Sequence, residues 1–139
     1  MGKQIKYKAG YKYQIWEDYE HQLSYHFRAK ENFETPFLKL DTGALLTVKQ
    51  GYAYDGPSGP TIDTKNSMRG ALVHDCLFQF MRMGLISPDR RKEADKEFKR
   101  LLIEDGMSKI RAQIWYIGVR LGARRSSLPE NKRQIFTAP

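Results

Sequence analysis

Residues 72–98 decide the fold of this chain, and they run LVHDCLFQFMRMGLISPDRRKEADKEF. Before Gly84 an apolar side chain recurs at every fourth position, the spacing that places side chains on one face of an α-helix. The residues with this spacing are Leu72, Cys76 and Phe80. Gly84 ends that helix, and Ser87-Pro88-Asp89 opens a second with a capping residue, a first-turn proline and an acid. The stretch therefore predicts two antiparallel helices joined by a short turn.

A third helix is predicted beyond Asp105-Gly106, where the second helix ends. Ser108 is a capping residue for its start, and Gly122 ends it. Its apolar positions form a stripe at helical spacing that we expect to face the core. The residues of this stripe are Ile110, Ile114, Ile117 and Leu121. Residues 123–139 follow as a basic C-terminal tail.

The first fifty residues favour antiparallel strands. Tyr11, Tyr13 and Ile15 alternate with polar residues, as in a half-buried strand. An apolar run at 37–40, the turn Asp41-Thr42-Gly43 and a second apolar run at 44–48 predict a β-hairpin. Lys30 to Pro36 is interpreted as a loop. We therefore expect one α+β domain over residues 1–122, with N-terminal antiparallel strands and a hairpin, then a helical hairpin and a third helix.

Composition limits the function classes. The net charge is +8, from 24 basic and 16 acidic residues, which favours an anionic partner such as lipid headgroups, nucleic acid or an acidic protein. The basic residues from Arg120 to Arg133 are interpreted as a solvated segment. Cys76 is the single cysteine, so no intrachain disulfide forms and a reducing compartment is expected. No apolar run has the length of a membrane-spanning helix, and no secretory signal is expected.

Residues 51–60 have a different character, since GYAYDGPSGP contains three glycines and two prolines. Such a composition predicts a tightly shaped loop. The loop carries backbone carbonyls and Asp55, and hard oxygen ligands of this kind suit calcium.

His74 and Asp95 are the candidate catalytic pair. Each lies about ten residues from the turn near position 85, so at about 1.5 Å per residue they stand at matching heights on antiparallel helices. If both face inward, Asp95 accepts a hydrogen bond from one ring nitrogen of His74 and leaves the other nitrogen as a base. Asp75 points about 100° away around the helix and could face the glycine-rich loop, where it would join Asp55 as a metal ligand.

Ordinary structural roles compete with each assignment. His74 could be a core histidine, and Asp95 could be a surface residue that pairs with Lys92 or Lys99 on its own helix. Asp55-Gly56 could form a plain turn. These alternatives stay open at the level of sequence.

Four stretches together resemble an uncharacterised phage and prophage family that is known only as a domain of unknown function. They are GYAYDGPSGP at 51–60, LVHDCLFQ at 72–79, Glu93-Ala94-Asp95, and Glu104-Asp105-Gly106-Met107-Ser108. The resemblance covers nearly the whole chain. It implies a phage origin and a single-domain product.

A more distant likeness is to phospholipases A2, especially the bacterial type, which pair a glycine-containing calcium loop with a His-Asp helix and an orienting Asp on a second helix. The likeness implies that His74 is the base, Asp95 the orienting group and Asp75 a calcium ligand, with Asp55 or nearby carbonyls completing the metal site. Phe78 stands where these lipases usually place Tyr. The remaining predicted binding residues lie in or beside the loop: Tyr52, Gly56 and Ser58.

The leading hypothesis is therefore a phage-encoded, calcium-dependent hydrolase of a lipid or related ester. The alternative is a non-catalytic virion or host-interaction protein with the same scaffold. The expected partner is an anionic lipid or another phage or host protein, and nucleic acid ranks below both. Synthesis is expected in the host cytoplasm, with incorporation into the virion under the alternative hypothesis.

Overall fold

The computed structural model describes residues 7–8, 13–54 and 65–122. These residues fall into two compact units, one with the strands up to residue 54 and one with the helices from residue 65. Antiparallel strands followed by helices are the α+β fold class that the sequence predicts. The predicted tail at 123–139 lies outside the described residues.

The strand unit contains two small antiparallel sheets in its described part. The first has the strand order β1 (Tyr7–Lys8), β2 (Tyr13–Ile15), β7 (Ala53–Tyr54). The second has the order β3 (Tyr19–Gln22), β6 (Leu45–Val48), β5 (Leu38–Leu40), β4 (Phe33–Glu34). Alternate residues of β5 and β6 are buried, as expected for strands that cover a core with one face.

The predicted hairpin is confirmed in β5 and β6, whose register pairs Leu40 with Leu46. Asp41 shapes the turn, because its Oδ1 accepts hydrogen bonds from the backbone N–H groups of Gly43 and Leu45, both at 2.9 Å. Ala44 has a φ of 66°, a left-handed conformation that non-glycine residues rarely adopt. The turn tolerates it because the Asp41 side chain and the strand pairing hold the backbone on both sides.

Two predicted loops contain short strands that the sequence analysis missed. Within the predicted loop at 30–36, β4 pairs with β5 and sets Glu34 opposite Lys39. Within the predicted loop at 51–60, β7 pairs with β2, and residues 55–60 lie outside the described part. A strand of two residues shows no periodicity, so only its pairing with a neighbour defines it.

The helical unit confirms the predicted hairpin and third helix. Its bounds are α1 (Lys65–Arg82), α2 (Arg91–Glu104) and α3 (Lys109–Gly122). Gly84 and Gly106 have φ values of 81° and 106°, so each ends a helix in the left-handed conformation that glycine adopts without strain. Ser87 accepts a hydrogen bond from the N–H of Asp89 and opens a single 3₁₀ turn before α2. None of the described helices has the length and hydropathy needed to span a membrane.

Gly70 sets how closely α1 and α2 approach. A Cβ atom at this position would lie 3.3 Å from both the carbonyl oxygen and Cδ1 of Phe98, which is tighter than an ordinary contact. The absence of a side chain therefore lets the two helix backbones come together one turn before His74.

The prediction that the stripe on α3 faces the core is wrong. Its residues are largely exposed: Ile110 79%, Ile114 55%, Ile117 47% and Leu121 81%. The opposite face is buried instead, through Ala112, Trp115 and Val119. Trp115 packs against Phe98 of α2 in a tilted arrangement, with ring centroids 6.1 Å apart and an interplanar angle of 55°, and this large aromatic contact selects the buried face.

Arg69 connects the start of α1 to the end of α2, at the end of the helical hairpin opposite the turn. The guanidinium of this buried residue binds both carboxylate oxygens of Asp105, with Nε to Oδ2 at 3.0 Å and Nη2 to Oδ1 at 2.9 Å. It also bonds to Glu104. The Glu104-Asp105-Gly106-Met107-Ser108 motif thus has a structural explanation, since Gly106 turns the chain and Ser108 accepts a hydrogen bond from the N–H of Arg111.

Candidate functional site

The site is centred on a contact between α1 and α2. Nε2 of His74 lies 2.7 Å from Oδ1 of Asp95, within a buried environment. The Asp95 side chain has no exposed surface, and the His74 side chain is 8% exposed. The expected hydrogen bond between these two residues is therefore present, and the alternative of a surface Asp95 paired with Lys92 or Lys99 is wrong. The catalytic role of the pair stays a prediction.

Aromatic rings fix the plane of the imidazole. Phe78, one turn along α1, lies with its ring centroid 4.3 Å from that of His74. Phe98 of α2 lies 5.0 Å away. With two neighbouring rings and one hydrogen bond, the imidazole has little rotational freedom, and the close approach at Gly70 brings the short Asp95 side chain within reach.

The geometry determines which ring nitrogen carries the proton. A carboxylate oxygen only accepts hydrogen bonds, so Nε2 of His74 is the donor toward Asp95. In the neutral ring, Nδ1 then holds a lone pair. Within residues 7–8, 13–54 and 65–122, no hydrogen bond reaches Nδ1.

Two arginines that the sequence pattern does not assign to the site complete the surroundings of Asp95. Nη1 of Arg120 on α3 donates to Oδ2 of Asp95 at 3.0 Å. Nη1 of Arg91 lies 3.8 Å from the same oxygen and also donates to the backbone carbonyl of Arg120 at 3.3 Å. The interpretation of Arg120 as part of a solvated basic segment is therefore wrong. The i, i+4 spacing of Arg91 and Asp95 is a sequence signal for that contact.

The predicted metal ligands are only partly described. Asp75 is half-buried on α1. The described residues contain no group of three His, Cys, Asp or Glu side chains that could hold a metal ion. The other donor, Asp55, lies outside the described part together with the predicted binding residues Gly56 and Ser58. Calcium binding accordingly stays a prediction.

The other two predicted binding residues are described, in separate units. Phe78 touches His74, as stated above. Tyr52 is buried in the strand unit, where its carbonyl accepts a hydrogen bond from the N–H of Ile15 at 2.8 Å. That contact gives Tyr52 a defined structural role between the strands.

Comparison with known proteins places the chain in a family. No curated protein matches the chain, and no solved structure matches it either. A family model described as "Protein of unknown function (DUF1353)" matches residues 30–119, well over half of the chain, including the β5–β6 hairpin, the His74–Asp95 pair and most of α3. The chain belongs to this family of proteins of unknown function.

Proposed function

We propose that the protein is a phage-encoded hydrolase of a phospholipid or related ester, in which His74 is the base and Asp95 orients it. The observation that supports this most is the 2.7 Å contact between Nε2 of His74 and Oδ1 of Asp95, with Nδ1 left as acceptor. An imidazole oriented by a buried carboxylate is the arrangement that general-base catalysis uses.

The reaction follows from these two groups. Nδ1 of His74 takes a proton from water while the water oxygen attacks the ester carbonyl carbon and forms a new C–O bond. The bond to the leaving alkoxide then breaks, and the imidazolium returns its proton to that oxygen. The products are an acid and an alcohol. Asp95 holds the ring and stabilises its transient positive charge throughout.

Calcium is part of the proposal through Asp75 and Asp55, the residues that would hold it. A bound calcium ion supplies polarisation of the ester carbonyl, the chemistry of a Lewis acid. Of the described residues, the reaction itself uses only His74 and Asp95.

The test is a phospholipid-release assay with mixed vesicles, with added calcium and with a chelator. Wild-type protein is expected to release fatty acid in calcium, and His74→Ala is expected to lose about 100-fold or more of the rate. His26→Ala removes an exposed imidazole from the strand unit and serves as the matched control. Failure of the wild-type protein to release any product in calcium would end the enzyme hypothesis.

Asp95 needs a separate readout, because it acts through His74. Asp95→Asn is expected to lower kcat, with KM nearly unchanged, and to alter the pH profile of kcat. The assay is run well below the unfolding temperature of the variant, because the loss of the arginine contacts also lowers its stability. A variant that merely loosened the fold would lower the amount of active protein and leave the pH profile of the remaining activity unchanged.

A second candidate is a non-catalytic virion or host-interaction protein, in which the contacts of Arg120 and Arg91 with Asp95 would give the His74–Asp95 pair a structural role only. Through these contacts the buried carboxylate stabilises the packing of the helices, and this structural role requires no catalysis. Mass spectrometry of purified phage particles tests it. Presence of the chain in particles, with no hydrolysis by the wild-type protein, would support this candidate over the hydrolase.

A further inference from the structure

Four exposed aliphatic side chains lie along one face of α3, and we call them the α3 stripe. Its members are Ile110, Ile114, Ile117 and Leu121, all about half exposed or more. At about 100° per residue they fall within an arc of about 60°, on the side of the helix that faces away from the buried Ala112, Trp115 and Val119. One side of α3 therefore packs on the protein, and the other presents a continuous aliphatic surface.

A surface of this kind indicates a partner. Single exposed apolar residues are common on proteins, but a contiguous apolar strip marks an interaction site. The α3 stripe runs for about 16 Å along the helix axis, at about 1.5 Å per residue. That length suits contact with an extended surface better than with a small ligand.

The charges beside the α3 stripe select the chemistry of the partner. Helix α3 contains no acidic residue. Arg111 lies on one flank of the stripe, and Lys109 lies toward the other, and both are exposed. On that second flank, Lys99 of α2 bonds to Gln113 and lies 5.4 Å from the ring centre of Tyr116. Cations thus border the aliphatic surface on both sides.

We propose that the α3 stripe docks on the surface of an anionic lipid bilayer, with the axis of α3 parallel to the membrane plane. The aliphatic side chains enter the boundary between headgroups and acyl chains, and Arg111, Lys109 and Lys99 reach the phosphates with their long side chains. The proposed membrane contact is a property separate from the proposed hydrolysis and does not depend on it.

Other occupants fit these charges less well. If the partner were a second copy, pairing of two α3 helices would bring basic groups together, with no acid on either helix to compensate them. Nucleic acid would satisfy the cations, but it would leave the four aliphatic side chains against a polyanionic backbone. A lipid surface satisfies both the apolar and the basic features.

The experiment is co-sedimentation of the full chain with phosphatidylcholine vesicles, with and without a phosphatidylglycerol fraction. Wild-type protein is expected to bind the anionic vesicles and to bind the neutral vesicles weakly. The double variant Ile114→Ser with Ile117→Ser is expected to bind roughly tenfold more weakly or worse, because it removes exposed aliphatic surface only. Arg111→Gln is expected to weaken binding about fivefold at low salt.

Tyr25→Ser is the matched control, since it removes a 65% exposed aromatic side chain from the strand unit and is expected to bind as the wild type does. Thermal unfolding of each variant confirms that the fold is intact. The proposal is overturned if wild-type protein does not bind anionic vesicles or if the double variant binds as well as wild type. It is also overturned if light scattering shows a wild-type dimer that the double variant separates. His74→Ala is expected to keep vesicle binding, so failure of the hydrolase proposal stays distinguishable.

Discussion

Oδ2 of Asp95 on α2 accepts a hydrogen bond from Nη1 of Arg120 on α3 at 3.0 Å, while Oδ1 contacts His74 on α1 at 2.7 Å. One fully buried carboxylate therefore connects α1, α2 and α3. A buried charge is stable only when it is paired, and the arginine supplies that pairing. The position of the imidazole and the packing of α3 thus depend on the same side chain.

Substitution of Arg120 and substitution of Asp95 are both expected to lower the free energy of unfolding of the helical unit, and the loss should be larger for Asp95. Arg120→Gln should lower the free energy of unfolding by about 1–2 kcal/mol, because the arginine side chain is 27% exposed and Asp95 keeps His74 and Arg91. Asp95→Asn should cost about 2–4 kcal/mol, since it leaves two guanidinium groups without their carboxylate. Chemical denaturation measures both. Arg111→Gln, an exposed change on the same helix, should stay within about 0.5 kcal/mol of wild type, and an equal loss there would contradict the prediction.

Gly70→Ala tests whether close helix approach sets the His74–Asp95 contact. The new methyl group would meet the backbone oxygen of Phe98 at 3.3 Å, so α2 must shift by a few tenths of an ångström. Alanine also favours the helix by about 1 kcal/mol, which offsets part of the strain. We expect the unfolding free energy to change by less than about 1 kcal/mol, while the imidazole signal of His74 in an NMR spectrum shifts clearly.

Gly118→Ala is the control for this substitution, because Gly118 lies within α3 and nothing stands within 4 Å of a Cβ at that position. It should stabilise the protein by about 0.5–1 kcal/mol through helix propensity alone. An unchanged His74 signal in the Gly70 variant would show that the helix separation does not control the contact.

The His74–Asp95 contact could be predicted from sequence because two local features define it. Gly84 places the turn between the helices, and equal distances along each helix give equal heights. Nothing local encodes the contact of Arg120, because it comes from a third helix whose rotation about its own axis depends on packing. The same rotation explains the error on α3. The helix has apolar residues on two faces, and periodicity alone does not show that the face with Trp115 packs against Phe98.

The strand unit was predictable to a similar extent. The hairpin of β5 and β6 follows from two apolar runs around Asp41-Thr42-Gly43. The two-residue strands β4 and β7 do not follow from the sequence, since each is defined only by its pairing with another strand, β5 for β4 and β2 for β7. Short pairings of this kind carry no periodic signal of their own.

Glu34 on β4 gives the strand unit an expected pH dependence. A hydrogen bond from Lys49 and the positive charge of that lysine hold the pKa of Glu34 below its usual value of 4.5. The unfolded chain therefore takes up a proton at Glu34 at a higher pH than the folded chain does. The stability that the Glu34–Lys49 pair contributes is complete above the usual pKa and is lost as the pH falls through the lowered pKa of the folded protein. Denaturation midpoints measured over an acid pH series should fall less steeply for Glu34→Gln than for wild type. Lys49→Met should flatten the series in the same way, and a slope unchanged in both variants would contradict the assignment.

The bidentate contact of Arg69 with Asp105 is expected to contribute more to stability than a surface ion pair does. Arg69 is 5% exposed, and both oxygens of Asp105 are bound, so Arg69→Met leaves a largely desolvated carboxylate without its partner and should cost about 3–5 kcal/mol. Arg69→Lys should recover only part of this loss, because an ammonium group does not form the paired bonds of a guanidinium. Arg100→Met removes a comparable bidentate contact with Glu97, whose side chain is also largely buried, at 10% exposed. The Arg100 side chain is 53% exposed, however, so water replaces part of the lost contact, and the substitution should cost about 1–2 kcal/mol, less than the loss at Arg69. Urea denaturation of the three variants compares these values directly. Equal losses at Arg69 and Arg100 would mean that burial does not strengthen the contact, and the end of the hairpin far from its turn would then be held by its apolar packing alone.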